Sequence, residues 1–488
     1  MYNRIIFPRA FAVAIDDLGW NNGKHLGKEG GQGPSRAGVD RHFTFSDYQS
    51  LAEAGRSAGA RLQGLFVLCE MDRENVCAKY PTTTMHGAEW NNNSNVCNEQ
   101  LEIIDLVKQN AAFIEFGMHG VGHEFWPEKM KRVRAEWYNF PEKKPWPEQI
   151  LRDHFMCFRE IMKQYNLSEE NGHSFPQSFA PCAYSYYWNP DGRYSLGKLL
   201  NENGVKYANT DFSYITELNP PVEKNGGGFD HGVHVINRIN YGNKYFEYES
   251  LPTVPPLDQE SDVIESHFVN WLSEERDRQS DITGKWIAFF RSVQELEERY
   301  LAKNTEQLHS QWLYNRYTRI NESDPGEVII DNTDMPDEAF NFNLLGNMVL
   351  KIRLENGKHV SFASFDNMPI ASYFEECGYA FLYLPPVKKG THVLKYETGS
   401  FPMPEYIFNA GTYNIYRFEN KERSIEIDIK MYGTQNVTIK CRRPVAVDSS
   451  NPNLRILSVS YDQAKALLSI NISGRNITGE SGTIVLTF

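Results

Sequence analysis

The sequence predicts an α/β fold, a (β/α) barrel, followed by a C-terminal all-β sandwich region. Three observations carry this expectation. From the N-terminus to about residue 320, apolar runs alternate with segments of helical period, the pattern of βα units around a parallel sheet. Beyond about Ser323 the texture changes to short alternating runs separated by turn residues, which marks antiparallel β structure. The chain has 488 residues, 41% apolar and 13% aromatic, more than a single core holds, so it divides into two or three domains. The expected boundaries give domains 1–322, 323–400 and 401–488.

Each element has its own signal. The expected strands of the first domain are Phe11 to Ile15, Leu62 to Cys69, Ala112 to Phe116, Ser174 to Ala180, Val205 to Asn209, His234 to Ile239 and Trp286 to Phe290. Between them, Leu151, Phe155, Phe158, Met162 and Tyr165 recur at four- and three-residue steps and form one apolar helical stripe. Two insertions follow strand ends: Asn21 to Arg41, rich in glycine, and Glu70 to Asn98. Loops after the strands form the reactive rim of α/β barrels, so these are expected to wall a pocket. Farther on, Val349 to Leu354 and Ser424 to Ile429 alternate with period two, and Asn356-Gly357 is a hairpin signal. A second boundary is expected near Gly399 to Pro404.

Composition excludes several classes of function. The formal charge is −13, with acids spread along the chain, a net field that opposes nucleic acid or anionic membrane as a partner. Seven cysteines form no CxxC pair and are expected to be free thiols in a reducing compartment, with Cys77 and Cys97 as the alternative pair in an exported protein. No apolar run approaches the ~18 residues that span a bilayer, and the N-terminus lacks the apolar core of a signal peptide. The expected location is cytoplasmic, or secreted if a signal was trimmed. Oligomeric state is not legible.

The chemistry begins at Phe11-Ala-Val-Ala-Ile-Asp-Asp-Leu-Gly-Trp20. Successive side chains on a strand face opposite ways, so neighbouring acids share a site only where the chain turns, which suggests a division of labour between Asp16 and Asp17. A second signal, Phe116-Gly-Met-His-Gly-Val-Gly-His123, also follows an expected strand. Histidines four apart share one side of a helical turn and can meet at one metal. Both signals fall on the same rim of a barrel. Two imidazoles and an acid form a catalytic zinc set with an open position for water, in which one aspartate ligates and its neighbour handles a proton.

These motifs resemble the polysaccharide deacetylases of the NodB-homology type, carbohydrate esterase family 4, over roughly residues 5 to 300. The resemblance implies a NodB-like distorted (β/α) barrel, with Asp16 as general base and Asp17, His119 and His123 as ligands of a divalent metal: zinc, or else manganese, cobalt or nickel. The family's third motif has a partial counterpart in Phe179-Ala180-Pro181-Cys182-Ala183-Tyr184. Pro181 matches, a phenylalanine stands where the base-positioning arginine belongs, and the backbone at Cys182 is expected to assist an oxyanion. The last motif carries a general-acid histidine. Its best local match, Trp286 to Arg291, has none, so His231 or His234 is expected to supply the proton, with His86 a further candidate.

The expected activity is removal of acetyl groups from an N- or O-acetylated carbohydrate by metal-activated water. Trp20, Trp126, Pro181, Tyr184 and Trp188 are the expected substrate contacts, since sugar C–H faces pack on aromatic planes. Trp90, Tyr186 and Tyr187 lie in the same segments. Two alternatives stand beside this reading: hydrolysis of a non-sugar amide or cyclic amide on the same fold, and a carbohydrate-binding protein with a metal but no turnover.

Overall fold

The computed structural model describes residues 5–24, 36, 38–189, 191–192, 194–215, 226–259, 261–370 and 372–488. Residues 25–35 and 37, most of the first expected insertion, lie outside the described residues. The chain forms two compact units, one of residues 12–57 and 62–288, the other of residues 1–11, 58–61 and 289–488.

The first unit is mixed α/β. Its sheet runs in the order Val263–His267, Arg9–Leu18, Leu62–Val67, Ile114–Gly120, Ser178–Phe179, Tyr207–Thr210, Val233–Asn237, with neighbouring strands parallel throughout. A short antiparallel strand, Gly227–Asp230, pairs with Val233–Asn237. The sheet curls until its ends meet: the Ile239 N–H donates to the Val263 carbonyl (3.0 Å), and the Glu265 N–H donates to the Ile239 carbonyl (2.9 Å). Leu62–Val67 and Ile114–Gly120 are buried at every position, as strands covered on both faces must be. The helix Glu148–Gln164 buries Leu151, Phe155, Phe158 and Met162, the stripe its spacing predicts.

One expected strand is corrected. Trp286 to Phe290 belongs to the helix Gln279–Gln294. Ile282, Trp286, Phe290 and Val293 are buried at steps of four, four and three, a helical period that a five-residue window conceals. The strand that takes the expected place is Val263–His267, whose polar Glu265, Ser266 and His267 hide it from a search for apolar runs.

The second unit is β-rich. Its largest sheet runs Ile5–Ile6, Met348–Arg353, Tyr379–Leu384, Ser372–Glu376, Tyr406–Phe408, Thr434–Lys440, Leu467–Gly474, Leu454–Asp462. That path crosses residue 400 without a break, at the parallel pairing of Ser372–Glu376 with Tyr406–Phe408, so the expected division there is absent from the sheet. Nor does the unit begin near 323. Residues 289–322 belong to it because Gln311, in the helix Thr305–Tyr317, donates to the carbonyls of Pro8 (2.8 Å) and Val349 (3.0 Å). Asn356-Gly357 lies in a turn, with Gly357 at φ 73°, but the strands it joins enter different sheets. All seven cysteines are free. Cys77 lies with its sulfur 3.7 Å from that of Cys157, while Cys97 is exposed. Among the described residues no helix is long and apolar enough to cross a membrane.

Candidate metal centre

Two adjacent aspartates reach one site because the strand breaks its alternation there. Asp17 adopts φ 66° and Gly19 φ 97°, and the pairing of Arg9–Leu18 with Leu62–Val67 slips between Ile15 and Leu18. A bulge of this kind re-aims side chains at the end of a strand. A Cβ on Gly19 would stand 2.1 Å from the Val67 carbonyl oxygen, so the turn requires glycine. The outcome is a pair of buried carboxylates on one imidazole: His119 Nε2 lies 3.8 Å from Asp16 Oδ2 and 4.0 Å from Asp17 Oδ1.

His123 completes the group, with Nε2 3.9 Å from Asp17 Oδ1. The two histidines do not share a helical turn. His119 ends the strand Ile114–Gly120, and His123 sits in the following bend at φ 65°. Gly122 lets that bend pass against the chain at Thr83, whose carbonyl oxygen lies 1.7 Å from where a Cβ would stand. Glu136 accepts the N–H groups of Val121 (2.9 and 3.0 Å), Gly122 (3.2 Å) and His123 (3.0 Å).

The donor set fits a divalent metal. His119 Nδ1 is 2.8 Å from the Ala180 carbonyl oxygen, and His123 Nδ1 is 3.0 Å from Glu124 Oε1. Both rings therefore place the proton on Nδ1 and turn Nε2 toward Asp17, the arrangement that orients metal-ligating histidines. Asp17 Oδ1 is buried with no hydrogen-bond partner among the described residues. Asp17 Oδ1 stands 4.0 and 3.9 Å from the two Nε2 atoms, and ligand atoms of His119, His123 and Cys182 lie within 4.8 Å of one another, a set of nitrogen, oxygen and sulfur donors that would suit a divalent metal. Burial lowers the His119 pKa. Burial also opposes charge on His123, but Glu124, Asp17 and Glu136 outweigh it and push the ring up to about 9.

Two further side chains meet this group, and neither is predicted from sequence. Arg238 grips Asp16 with both arms, Nη1 to Oδ1 and Nη2 to Oδ2, each at 2.7 Å. It follows directly on the strand Val233–Asn237 and is 1% exposed. Burial works against the Asp16 carboxylate, yet Arg238, His119 and His267 hold its pKa down at about 2. Glu265 Oε2 lies 3.5 Å from Arg238 Nε, and burial raises its pKa. His267, at the end of Val263–His267, has Nε2 3.9 Å from Asp17 Oδ2, and its Nδ1 has no hydrogen-bond partner among the described residues. The only available hints were local: an arginine inside the run Val235-Ile-Asn-Arg-Ile239, and a histidine before Phe268.

The remaining predicted residues divide into two groups. Tyr184 borders the site: its hydroxyl donates to Glu265 Oε1 (2.7 Å), and Arg238 lies over its ring. Ala180, beside Pro181, supplies the carbonyl for His119, and the Cys182 thiol donates to the His119 carbonyl at 3.2 Å. Burial pushes that thiol well up. By contrast Trp20, Trp126 and Trp188 are core residues, 2%, 1% and 7% exposed, with Trp188 against Phe212 and Tyr186. The exposed rings are others: Phe246 (49%) and Tyr245 flank His267, and Tyr214 (44%) packs on Tyr184. His231 and His234 precede or begin the strand Val233–Asn237, whereas the site sits past the ends of the parallel strands. His231 Nε2 instead faces the Asn189 carbonyl (3.3 Å). His234 stands four residues before Arg238, about 13 Å along a strand, and burial pushes its pKa down to about 3.

Compared with protein-family models and with curated proteins, the chain gives no match.

Proposed function

We propose that this chain is a metal-dependent hydrolase of the polysaccharide-deacetylase type, built on a NodB-like distorted barrel, that removes acetyl groups from an N- or O-acetylated carbohydrate. The observation that carries the reading is the convergence of Asp17, His119 and His123 beside a separate aspartate, Asp16, that is locked by Arg238. Closure of the curled sheet at Ile239 supports the barrel.

Asp17 and the Nε2 atoms of His119 and His123 would hold the ion, zinc before manganese, cobalt or nickel. When bound, it supplies Lewis acidity and lowers the pKa of water. The chain does the rest. Asp16, kept ionised by Arg238, takes the proton from the attacking water. His267, within reach of the same centre and wet at its edge, gives a proton to the departing amine or alcohol. The products are acetate and a free amino group or hydroxyl. This assignment replaces His231 and His234 as the acid.

Tyr184, Tyr214, Tyr245 and Phe246 support a carbohydrate ligand, because part-exposed rings beside a polar centre suit the C–H faces of sugars. Arg238 and His267 also weigh against the binding-only reading, which rested on a missing arginine and a missing histidine. The test is acetate release from N-acetylglucosamine oligomers and acetylated xylan, run with elemental analysis of the purified protein. Activity should vanish on chelation, return with zinc, and be lost in Asp16→Asn. His119→Ala should lose the metal. Release of acid from small cyclic amides with no acetate from either glycan would transfer the reading to the amide alternative, and full metal occupancy with no turnover of any substrate would sink it.

A further inference from the structure

The Glu136-Trp137 dipeptide touches the segment that carries both histidines from end to end. The Trp137 indole N–H donates to the His119 carbonyl at 2.9 Å. Three successive N–H groups, of Val121, Gly122 and His123, converge on the Glu136 carboxylate, an anion nest in reverse, with the anion supplied by the protein itself. Both side chains are 0% exposed. A buried carboxylate is tolerated only when its oxygens are satisfied. Glu136 Oε1 meets this need a second way, through His154 Nδ1 at 2.8 Å. His154 is an anomaly of its own: it lies among the buried residues of the helix Glu148–Gln164, and its Nε2 lies 2.9 Å from Thr82 Oγ1. Thr82 belongs to the second insertion, whose Thr83 carbonyl packs on Gly122.

We infer that Glu136 is a positioning residue for the metal: it fixes the bend that presents His123, and His154 ties it to the second insertion, which thereby serves as part of the ligand scaffold. The inference deepens the hydrolase reading and rests on it. Without the carboxylate, three N–H groups lose their shared acceptor, and the left-handed bend at His123 keeps only the Glu124 N–H to Gly122 carbonyl bond (2.8 Å) and the Cys69 N–H to Val121 carbonyl bond (2.8 Å) along its backbone. Glu136→Gln keeps the shape but replaces a charged acceptor with a neutral one and turns an amide N–H₂ on one of its donors. Charge-assisted bonds are roughly twice as strong as neutral ones, and loss of a partner that orients a ligand weakens metal binding about 10- to 100-fold.

The experiment measures zinc affinity against a chromophoric chelator, the absorption spectrum of the cobalt form, and amide exchange of the 119–124 segment, in the full-length wild type and Glu136→Gln. The expected result is affinity lower by that factor, a shifted cobalt band and faster exchange. A folded variant with wild-type affinity and an unchanged cobalt band overturns the inference, even if exchange is faster, because Glu136 would then stabilise the bend without setting the ligand. If Glu136→Gln does not fold, His154→Ala takes its place, with the same direction expected and the same result overturning it. A wild type that binds neither zinc nor cobalt defeats the hydrolase reading itself and this inference with it. Metal binding by wild type with no effect of either variant defeats the inference alone.

Discussion

Replacing Arg238 with methionine removes a guanidinium from a buried place beside Asp16. Arg238 and Asp16 are 1% and 2% exposed, and stripping one partner from such a pair costs about 3–5 kcal/mol. The pH dependence carries more information than the size. In the wild type the Asp16 pKa falls from 3.8 to about 2, worth about 2 kcal/mol at about 1.4 kcal/mol per unit. A depressed carboxylate contributes that stability above pH 3.8 and loses it as pH falls through 2. In the variant burial, the largest influence on Asp16, is opposed only by His119 and His267, so the folded pKa should rise above 3.8 and the sign reverse: stability falls as pH climbs from about 4 toward the new pKa. Urea unfolding of both proteins from pH 3 to pH 8 reads this directly. The gap between them should open with rising pH, and the acid limb of acetate release should move upward, because Asp16 must be ionised to accept a proton. Parallel stability curves, or an unmoved acid limb, would refute the assignment of Arg238 as the partner that keeps Asp16 charged.

Removing the imidazole in His267→Ala should lower kcat on N-acetyl substrates by about 10²- to 10⁴-fold, and much less on an acetyl ester with an acidic phenol as leaving group; equal losses on both would argue against proton donation. His231→Ala, made beside it, should leave both rates unchanged. In the β-rich unit, burial pushes Lys351 down to about 8 while its ammonium donates to the carbonyls of Leu296 (2.6 Å) and Arg299 (2.9 Å). A lowered lysine destabilises once it is charged, so it should make stability rise from pH 8 to about 10.5, where the unfolded chain also loses its proton. Calorimetry of Lys351→Met across that interval should show the rise abolished.

The half of the site that was legible in sequence consists of residues set by local rules. Asp16, Asp17 and His119 stand in the last residues of largely apolar strands and His123 in the bend that follows, so local sequence alone places them at the strand's mouth. Arg238 and His267 obey no local rule. Arg238 meets Asp16 across 222 positions, and the two are neighbours only because the sheet curls until its ends join. His267 was lost with its strand, since three of the five residues in Val263–His267 are polar, with Glu265 and His267 turned to Arg238 and Asp17. The tryptophans failed for the opposite reason: a large ring near a motif is as useful to the core as to a ligand, and Trp20, Trp126 and Trp188 went to the core. In the β-rich unit two strands were legible, Met348–Arg353 and Ser424–Met431, but not which strands share a sheet, because a turn as short as Asn356-Gly357 joins strands of different sheets.

The seam at Ile239 has a consequence for how this molecule becomes competent. Arg238 is the residue before that bridge, and Glu265 and His267 lie on the strand it joins, whereas Asp17 comes from Arg9–Leu18, the neighbour of that strand, and His119 from Ile114–Gly120, two strands farther on. On the proposed reading the acid His267 thus lies on a different strand from the ligands, while the base Asp16 shares its strand with Asp17. On that reading, opening the join at Ile239 would free Arg238 from Asp16 while Asp17 and His119 stay on their own strands, so metal occupancy by itself would be a poor gauge of how much of a preparation is active.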